Sequence, residues 1–314
     1  MDFVDKCKSR VWLQDVAPDE QLGKSPTMLA NNELMMLHWL ARNMDLHGSI
    51  VDAGAFLGGS TGALASGLSR RSKSVTVNTK IHVYDMFIAP NDPYSLGEIG
   101  HGKKAGDTVL DLFAKFIEQY CSYILVYAGD FARIAPPRET IDILFVDIAK
   151  TRALNKKIVM EYFEKMVPGH SILIQQDYND QSCPWVNATM ERLKGNFEYV
   201  CDESASRVYL YLKPIENWHF LEDLESLVRE EQLLRQAIIS ENSEVARYFT
   251  AVGLAWTLFE KDGFDAANYY LDNLEYKQPW QSNPPYTDLI KNDMSLVKNK
   301  SGLDEHNKSY FDPA

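Results

Sequence analysis

Val51-Asp52-Ala53-Gly54-Ala55-Phe56-Leu57-Gly58-Gly59-Ser60-Thr61-Gly62 is the stretch that decides the fold. An apolar run, Ile50-Val51, ends in an acid; a glycine-rich turn follows, and small residues continue past Ser60. Glycine permits a tight turn and close approach of a ligand to the backbone, and the amides at a helix start can meet polar groups. The order predicted is strand, ligand loop, helix. A dinucleotide fingerprint requires glycine at positions 54, 56 and 59, but position 56 is Phe, whose side chain crowds the approach a pyrophosphate needs. NAD and FAD are disfavoured.

Working outward, similar short apolar runs recur at Ile81-His82-Val83-Tyr84-Asp85, Ile124-Leu125-Val126-Tyr127, Ile141-Asp142-Ile143-Leu144-Phe145-Val146-Asp147 and Ser171-Ile172-Leu173-Ile174. Runs this short and apolar suit strands buried on both faces of a parallel sheet. Helix-length segments lie between them, Ser60 to Arg71, Thr108 to Tyr120 and Arg152 to Met166, with Pro168-Gly169 marking a return to strand. Phe197 to Cys201 and Arg207 to Leu212 flank a short polar turn and predict a closing hairpin. The fold class is therefore α/β: a doubly wound, mostly parallel, Rossmann-like sheet with an antiparallel last strand and a C-terminal helical extension.

The patterning divides the chain into four parts. Residues 1–48 form an N-terminal helical cap, patterned most clearly over Asn32-Glu33-Leu34-Met35-Met36-Leu37-His38-Trp39-Leu40, and residues 49–213 form the α/β domain. Residues 214–278 are a helical extension, with Leu221 to Ser240 followed by a helical pair around Asp262-Gly263, and residues 279–314, rich in Asn, Pro, Lys and Ser, read as a flexible tail. Trp218-His219-Phe220 is expected as core beneath the extension. His101, in the glycine-rich insertion Gly97-Glu98-Ile99-Gly100-His101-Gly102, marks a segment that suits a lid, although a solvated loop histidine fits it better.

The 314 residues carry a formal charge of −12, with no long Lys/Arg run to offset it, which opposes contact with nucleic acid or an anionic membrane. Cys7, Cys121, Cys183 and Cys201 are scattered, without metal-ligand spacing, and are expected as reduced thiols. The start lacks a signal-peptide pattern, and no window has 18 uninterrupted apolar residues, so a cytoplasmic location is expected.

The acid at Asp52 followed by Gly54, Gly58 and Ser60 resembles motif I of class I S-adenosylmethionine-dependent methyltransferases. That resemblance implies that Asp52, Gly54, Phe56, Gly58, Ser60 and Thr61 border the cofactor, with Asp85 and its neighbour Met86 at the ribose. It also implies that Gly129, Asp130 and Phe131 meet the adenine and that Asp147 faces the same cleft. A carboxylate suits the ribose role, because it can accept from both hydroxyls.

The resemblance narrows at Asp147-Ile148-Ala149-Lys150, which is similar to catechol and caffeoyl-coenzyme A O-methyltransferases, and at Gln176-Asp177-Tyr178, which is similar to macrocin-type sugar O-methyltransferases. The first group implies Lys150 as general base and Asp147 in the catalytic centre, with Asp147, Gln176 and Asp177 corresponding to the ligands of a magnesium ion. Tyr178 stands where that pattern has Asn, and Gln176 where the sugar group has Asp, so metal dependence stays open. A lysine acts as base only if its surroundings depress its pKa from about 10.4.

The activity implied is methyl transfer to a sugar or phenolic hydroxyl of a small molecule, the extension shaping the acceptor site or a homodimer interface. Aminocarboxypropyl transfer or cyclisation of the same cofactor, and a non-catalytic scaffold with a degenerate cofactor pocket, are the alternatives.

Overall fold

The structure, a computed structural model, describes residues 2–16, 22, 25–71, 79–91, 97, 102–216, 218–276, 278 and 286–301. His101 and most of its insertion lie outside the described residues. The chain divides into two compact units, one of residues 1–148, 161–176 and 197–214, the other of residues 149–160, 177–196 and 215–314.

The first unit holds a seven-stranded sheet of β1 (Ser49–Ala53), β2 (Ile81–Asp85), β3 (Ile124–Ala128), β4 (Ile141–Val146), β5 (Ile172–Gln175), β6 (Phe197–Glu203) and β7 (Ser206–Tyr211). Its order is β3-β2-β1-β4-β5-β7-β6. The first five strands are parallel; β7 runs antiparallel to β5 and pairs antiparallel with β6, so the hairpin inserts its second strand beside β5. The order reverses between β1 and β4, which creates the switch-point crevice where such sheets bind ligands. β1 and β4 are buried throughout, as a doubly covered strand requires. β3 departs from that expectation: Leu125 and Val126 are exposed, because β3 is the edge of the sheet.

Residues 1–48, expected as a separate cap, fold as part of the sheet unit. Met36, Leu37 and Leu40 of the helix Asn31–Asn43 are fully buried in the same core as Ile50, Leu64 and Ile143. Glu203, the last residue of β6, anchors the first turns: the Trp12 indole N–H donates to it at 2.8 Å, and Arg10 reaches both its oxygens at 2.9 and 2.6 Å.

The second unit is helical: Arg152–Lys157, Pro184–Arg192, Leu227–Ser240, Glu244–Asp262, Phe264–Asp272 and Tyr286–Ser301. The long pair is capped as its sequence suggests, with Ser226 and Ser243 accepting from the amides of Arg229 and Ala246. Two boundaries need correction. The expected edge at 48/49 does not match the units; the expected edge at 213/214 falls one residue from the unit edge at 214/215, but residues 149–160 and 177–196, expected in the α/β domain, group with the C-terminal helices. The expected flexible tail from 279 contains the helix Tyr286–Ser301, whose Ile290 and Met294, four residues apart on one face, are buried in a core with Leu254, Leu258 and Leu271. Trp218–Leu221 is a 3-10 turn in which Trp218 is half-buried and Leu221 fully buried, while the His219 ring, expected in the core, is exposed and bonded to Glu222 at 2.8 Å. The helix Pro184–Arg192 went unpredicted, although proline at its first position was a usable signal.

Candidate functional site

Parallel register brings the ends of β2, β1 and β4 together. Ala53 lies opposite both Tyr84 and Val146, and the ladder runs one residue past each strand. Gly54 N–H donates to Tyr84 C=O at 2.9 Å, Asp147 N–H to Ala53 C=O at 2.7 Å, and Gly129 N–H to Asp85 C=O at 2.9 Å. The loops carrying Gly54, Asp85, Gly129 and Asp147 therefore leave the sheet along one edge.

Gly54 has φ +103°, and a Cβ there would lie 2.6 Å from the Asp147 carbonyl oxygen. Only glycine allows the β1 loop to pass so close to the end of β4. Gly54→Ala is expected to destabilise the sheet unit and to reduce cofactor affinity; a melting temperature and affinity equal to wild type would contradict this contact. Gly58, at φ +92°, starts the helix Gly59–Ser69, whose first amides face the turn.

Asp52 is completely buried and accepts hydrogen bonds from Ser60 Oγ at 2.9 and 3.0 Å and from Thr61 Oγ1 at 2.5 Å. These three side chains tie β1 to the helix rather than line a surface, and so fix the loop. Phe131 is likewise buried, stacked on Tyr162 with centroids 5.1 Å apart and edge-on to Tyr84 at 5.7 Å. Gly54, Phe56, Asp85, Gly129 and Asp147 are partly accessible, and Met86 and Asp130 are exposed. Asp130 caps the turn Phe131–Arg133 by accepting from Ala132 N–H at 3.0 Å and pairs with Arg133.

Asp85 holds two amides: Phe56 N–H at 2.9 Å and Phe87 N–H at 2.6 Å. Phe56 and Phe87 both have positive φ, 49° and 53°, backbone conformations that bulky residues seldom adopt. The Asp85 carboxylate thus fixes the turn after β1 as well as its own. It keeps acceptor capacity, since an ionised carboxylate offers about four lone-pair sites.

The electrostatics are acidic. Burial pushes the Asp52 carboxyl up to about 7, against the pull of the Thr61 and Ser60 hydroxyls, and the charges of Asp147 and Asp85 push the same way. Burial raises Asp85 too, against the Phe87 and Phe56 amides. Glu33, on the N-terminal helix, rises to about 7 through burial, opposed by the Ser206 hydroxyl and Ala30 amide, with Asp147 and Glu203 adding to the rise. Asp147 is the neighbour shared by Asp52 and Glu33.

A carboxyl raised from 4.5 to about 7 prefers the protonated form when folded. The folded chain then binds more protons than the unfolded one between those values, so Glu33 contributes stability below pH 4.5 that is lost as pH rises through 7. The swing is on the order of 3 kcal/mol. Glu33→Gln, whose amide can still accept from Ala30 and donate to Ser206, should flatten this slope and exceed wild type in urea denaturation at pH 8. An unchanged slope would show that Glu33 is ionised without penalty.

In the helical unit, the Lys150 ammonium is bonded to the Asp177 carboxylate. Asp177 has φ +64°, and Tyr178 and Asn179 beyond it are buried. The Tyr178 carbonyl accepts from Asn187 Nδ2 at 3.0 Å. Burial pushes the adjacent Cys183 thiol up to about 12, helped by Asp177 and opposed by Lys150.

The ligand set that the resemblance offers a magnesium ion was Asp147, Gln176 and Asp177. Gln176 supplies a buried, uncharged carbonyl oxygen with no hydrogen-bond partner among the described side-chain atoms, and Asp177 already carries an ammonium. No group of three or more His, Cys, Asp or Glu among the described residues is arranged to hold a metal. A hard divalent cation calls for several charged oxygen donors, and these residues do not fit one as they stand.

Arg152, Trp185, Glu230 and Glu260, which surround the Lys150 segment, were missed from the sequence; only a side-chain partner far along the chain gives them meaning. All four cysteines are free thiols. No helix among the described residues is long and apolar enough to cross a membrane.

No family model matches the chain, and no curated protein matches it. Solved structures do. The O-methyltransferase NovP is 13% identical with a TM-score of 0.42, over 67% of this chain and 98% of its own. The calicheamicin methyltransferase CalS11 is 14% identical with a TM-score of 0.44, over 67% and 92%. A dimethyladenosine transferase from Plasmodium falciparum is 14% identical with a TM-score of 0.33, over 88% and 98%. Likenesses this loose carry nothing about acceptor or reaction. By its own sheet order, strand directions and β1 loop, the chain has the fold of the class I S-adenosylmethionine-dependent methyltransferases.

Proposed function

We propose that the chain is an S-adenosylmethionine-dependent O-methyltransferase whose acceptor is a hydroxyl of a small molecule, sugar or phenolic. The observation that carries this reading is the convergence of Asp52, Asp85 and Asp147 on strand ends around a glycine turn. Such a field favours the sulfonium and ammonium of this cofactor and opposes a pyrophosphate or a polynucleotide. The formal charge of −12 supports the same exclusion.

Asp85 has acceptor sites left for the ribose hydroxyls, and Gly129 and Asp130, beyond the end of β3, suit the adenine edge. The bound cofactor supplies an electrophilic methyl group. The residues of the chain must align the acceptor oxygen with it and take the hydroxyl proton. An ammonium bonded to a carboxylate has no lone pair to offer, so the Asp177 oxygen is the proton acceptor of the pair and Lys150 orients it. No metal enters this scheme.

Calorimetric titration with S-adenosylmethionine and S-adenosylhomocysteine, with magnesium and with chelator, tests the cofactor. Micromolar binding indifferent to chelator is expected. Mass analysis with catechol and sugar acceptors tests the reaction: S-adenosylhomocysteine as product supports methyl transfer, and methylthioadenosine would replace it with aminocarboxypropyl transfer. No binding under either condition would sink the reading.

A further inference from the structure

The segment that carries Lys150 is restrained on both sides within the helical unit. On its amino side the buried Ala149 offers its carbonyl to the Trp185 indole N–H at 2.7 Å. On its carboxyl side Arg152 reaches the two oxygens of Glu230 at 2.7 and 2.8 Å and one of Glu260 at 2.8 Å. The Arg152 guanidinium also lies over the Trp185 ring, 4.8 Å from its centroid, so one indole serves both restraints. Thr257 Oγ1 donates to Glu230 at 2.7 Å, and Thr151 caps the following helix by accepting from Leu154 N–H at 3.2 Å.

A forked guanidinium held by a buried carboxylate fixes direction as well as distance. An isolated buried pair is weak evidence of stability, since desolvation offsets most of its attraction. What this network supplies is geometry: positions 149, 151 and 152 are each pinned, and Lys150 between them has little freedom except along its own side chain. Glu230 and Glu260 come from the helices Leu227–Ser240 and Glu244–Asp262.

We propose that Arg152, Glu230 and Trp185 are positioning residues, through which the C-terminal helices brace segment 149–152 and hold the Lys150 ammonium on Asp177. The purpose assigned to the brace rests on the reading of Lys150 and Asp177 as the proton-handling pair; the brace itself is testable without turnover.

The full chain is reductively methylated with 13C-formaldehyde, and the Lys150 dimethylammonium signal is assigned by its loss in Lys150→Arg. Asp177→Asn defines the position of that signal when the pair is broken. Trp185→Phe keeps a ring beneath Arg152 and removes only the N–H to Ala149, and it should move the signal at least halfway to the Asp177→Asn position. Glu230→Gln should move it in the same direction, whereas Lys156→Met, which removes the ion pair with Glu225 in the same unit, should leave it in place. The idea is overturned if Trp185→Phe melts as wild type does and its Lys150 signal stays put; should Glu230→Gln fail to fold, Trp185→Phe decides alone. A failed cofactor titration alongside the expected Lys150 response would remove the proposed function and leave the brace standing.

Discussion

Asp85→Ala is expected to weaken binding of S-adenosylmethionine by about 100-fold or more, because hydrogen bonds to a charged acceptor are each worth about 1.5–3 kcal/mol and the ribose offers two hydroxyls. The substitution also releases the Phe56 and Phe87 amides, which the carboxylate holds at 2.9 and 2.6 Å in positive-φ turns. Calorimetry checks this. S-adenosylhomocysteine shares the ribose and should lose affinity too, but by a smaller factor, since it lacks the sulfonium that the Asp85 charge also favours. Asp85→Asn should fall between, retaining one acceptor oxygen for two amides and the ribose. Wild-type affinity in Asp85→Ala would leave Asp85 a loop tether and take the ribose assignment away from it.

The parts of this site that were legible in the sequence are the local ones. A strand ending in Asp52, a turn needing Gly54 and a helix beginning near Ser60 are written in consecutive residues, and the sheet follows from short apolar runs alternating with helix-length segments. Harder to read was the direction of each side chain. Asp52, Ser60 and Thr61 satisfy one another, and Phe131 turns inward onto Tyr162. Motif position alone does not separate a residue that touches a ligand from one that fixes the loop doing so.

The remainder depends on distant partners. Trp12 meets Glu203 across 191 positions and Arg152 meets Glu230 across 78, and neither separation leaves a periodic trace. The helix Tyr286–Ser301 lies in a polar stretch that reads as a tail. Its intrinsic preference is weak, and burial of Ile290 and Met294 against the neighbouring helices supplies what propensity lacks. The resemblance implies Lys150 as a general base, and it is the bond to Asp177, 27 positions away, that makes it half of an ion pair.

Arg152→Met is the substitution expected to cost most stability, about 3–5 kcal/mol, because it strands the Glu230 carboxylate, whose side chain is 1% exposed, with the Thr257 hydroxyl still donating to it. For a unit of this size the melting temperature should fall by roughly 6–20 °C. The loss belongs to the uncompensated charge rather than to the absent ion pair, and the double variant Arg152→Met with Glu230→Met separates the two. Replacing both partners by apolar groups removes both desolvation costs, so the double variant should recover most of the lost stability. A double-mutant cycle would then return a large coupling energy between the positions. Its recovered stability should not restore the Lys150 signal, because an apolar pair fills the space without the fork that fixes the direction of residue 152. If Arg152→Met melted within about 1 °C of wild type, Glu230 would have to be reaching water, and the helices would be packed beside the segment rather than fastened to it.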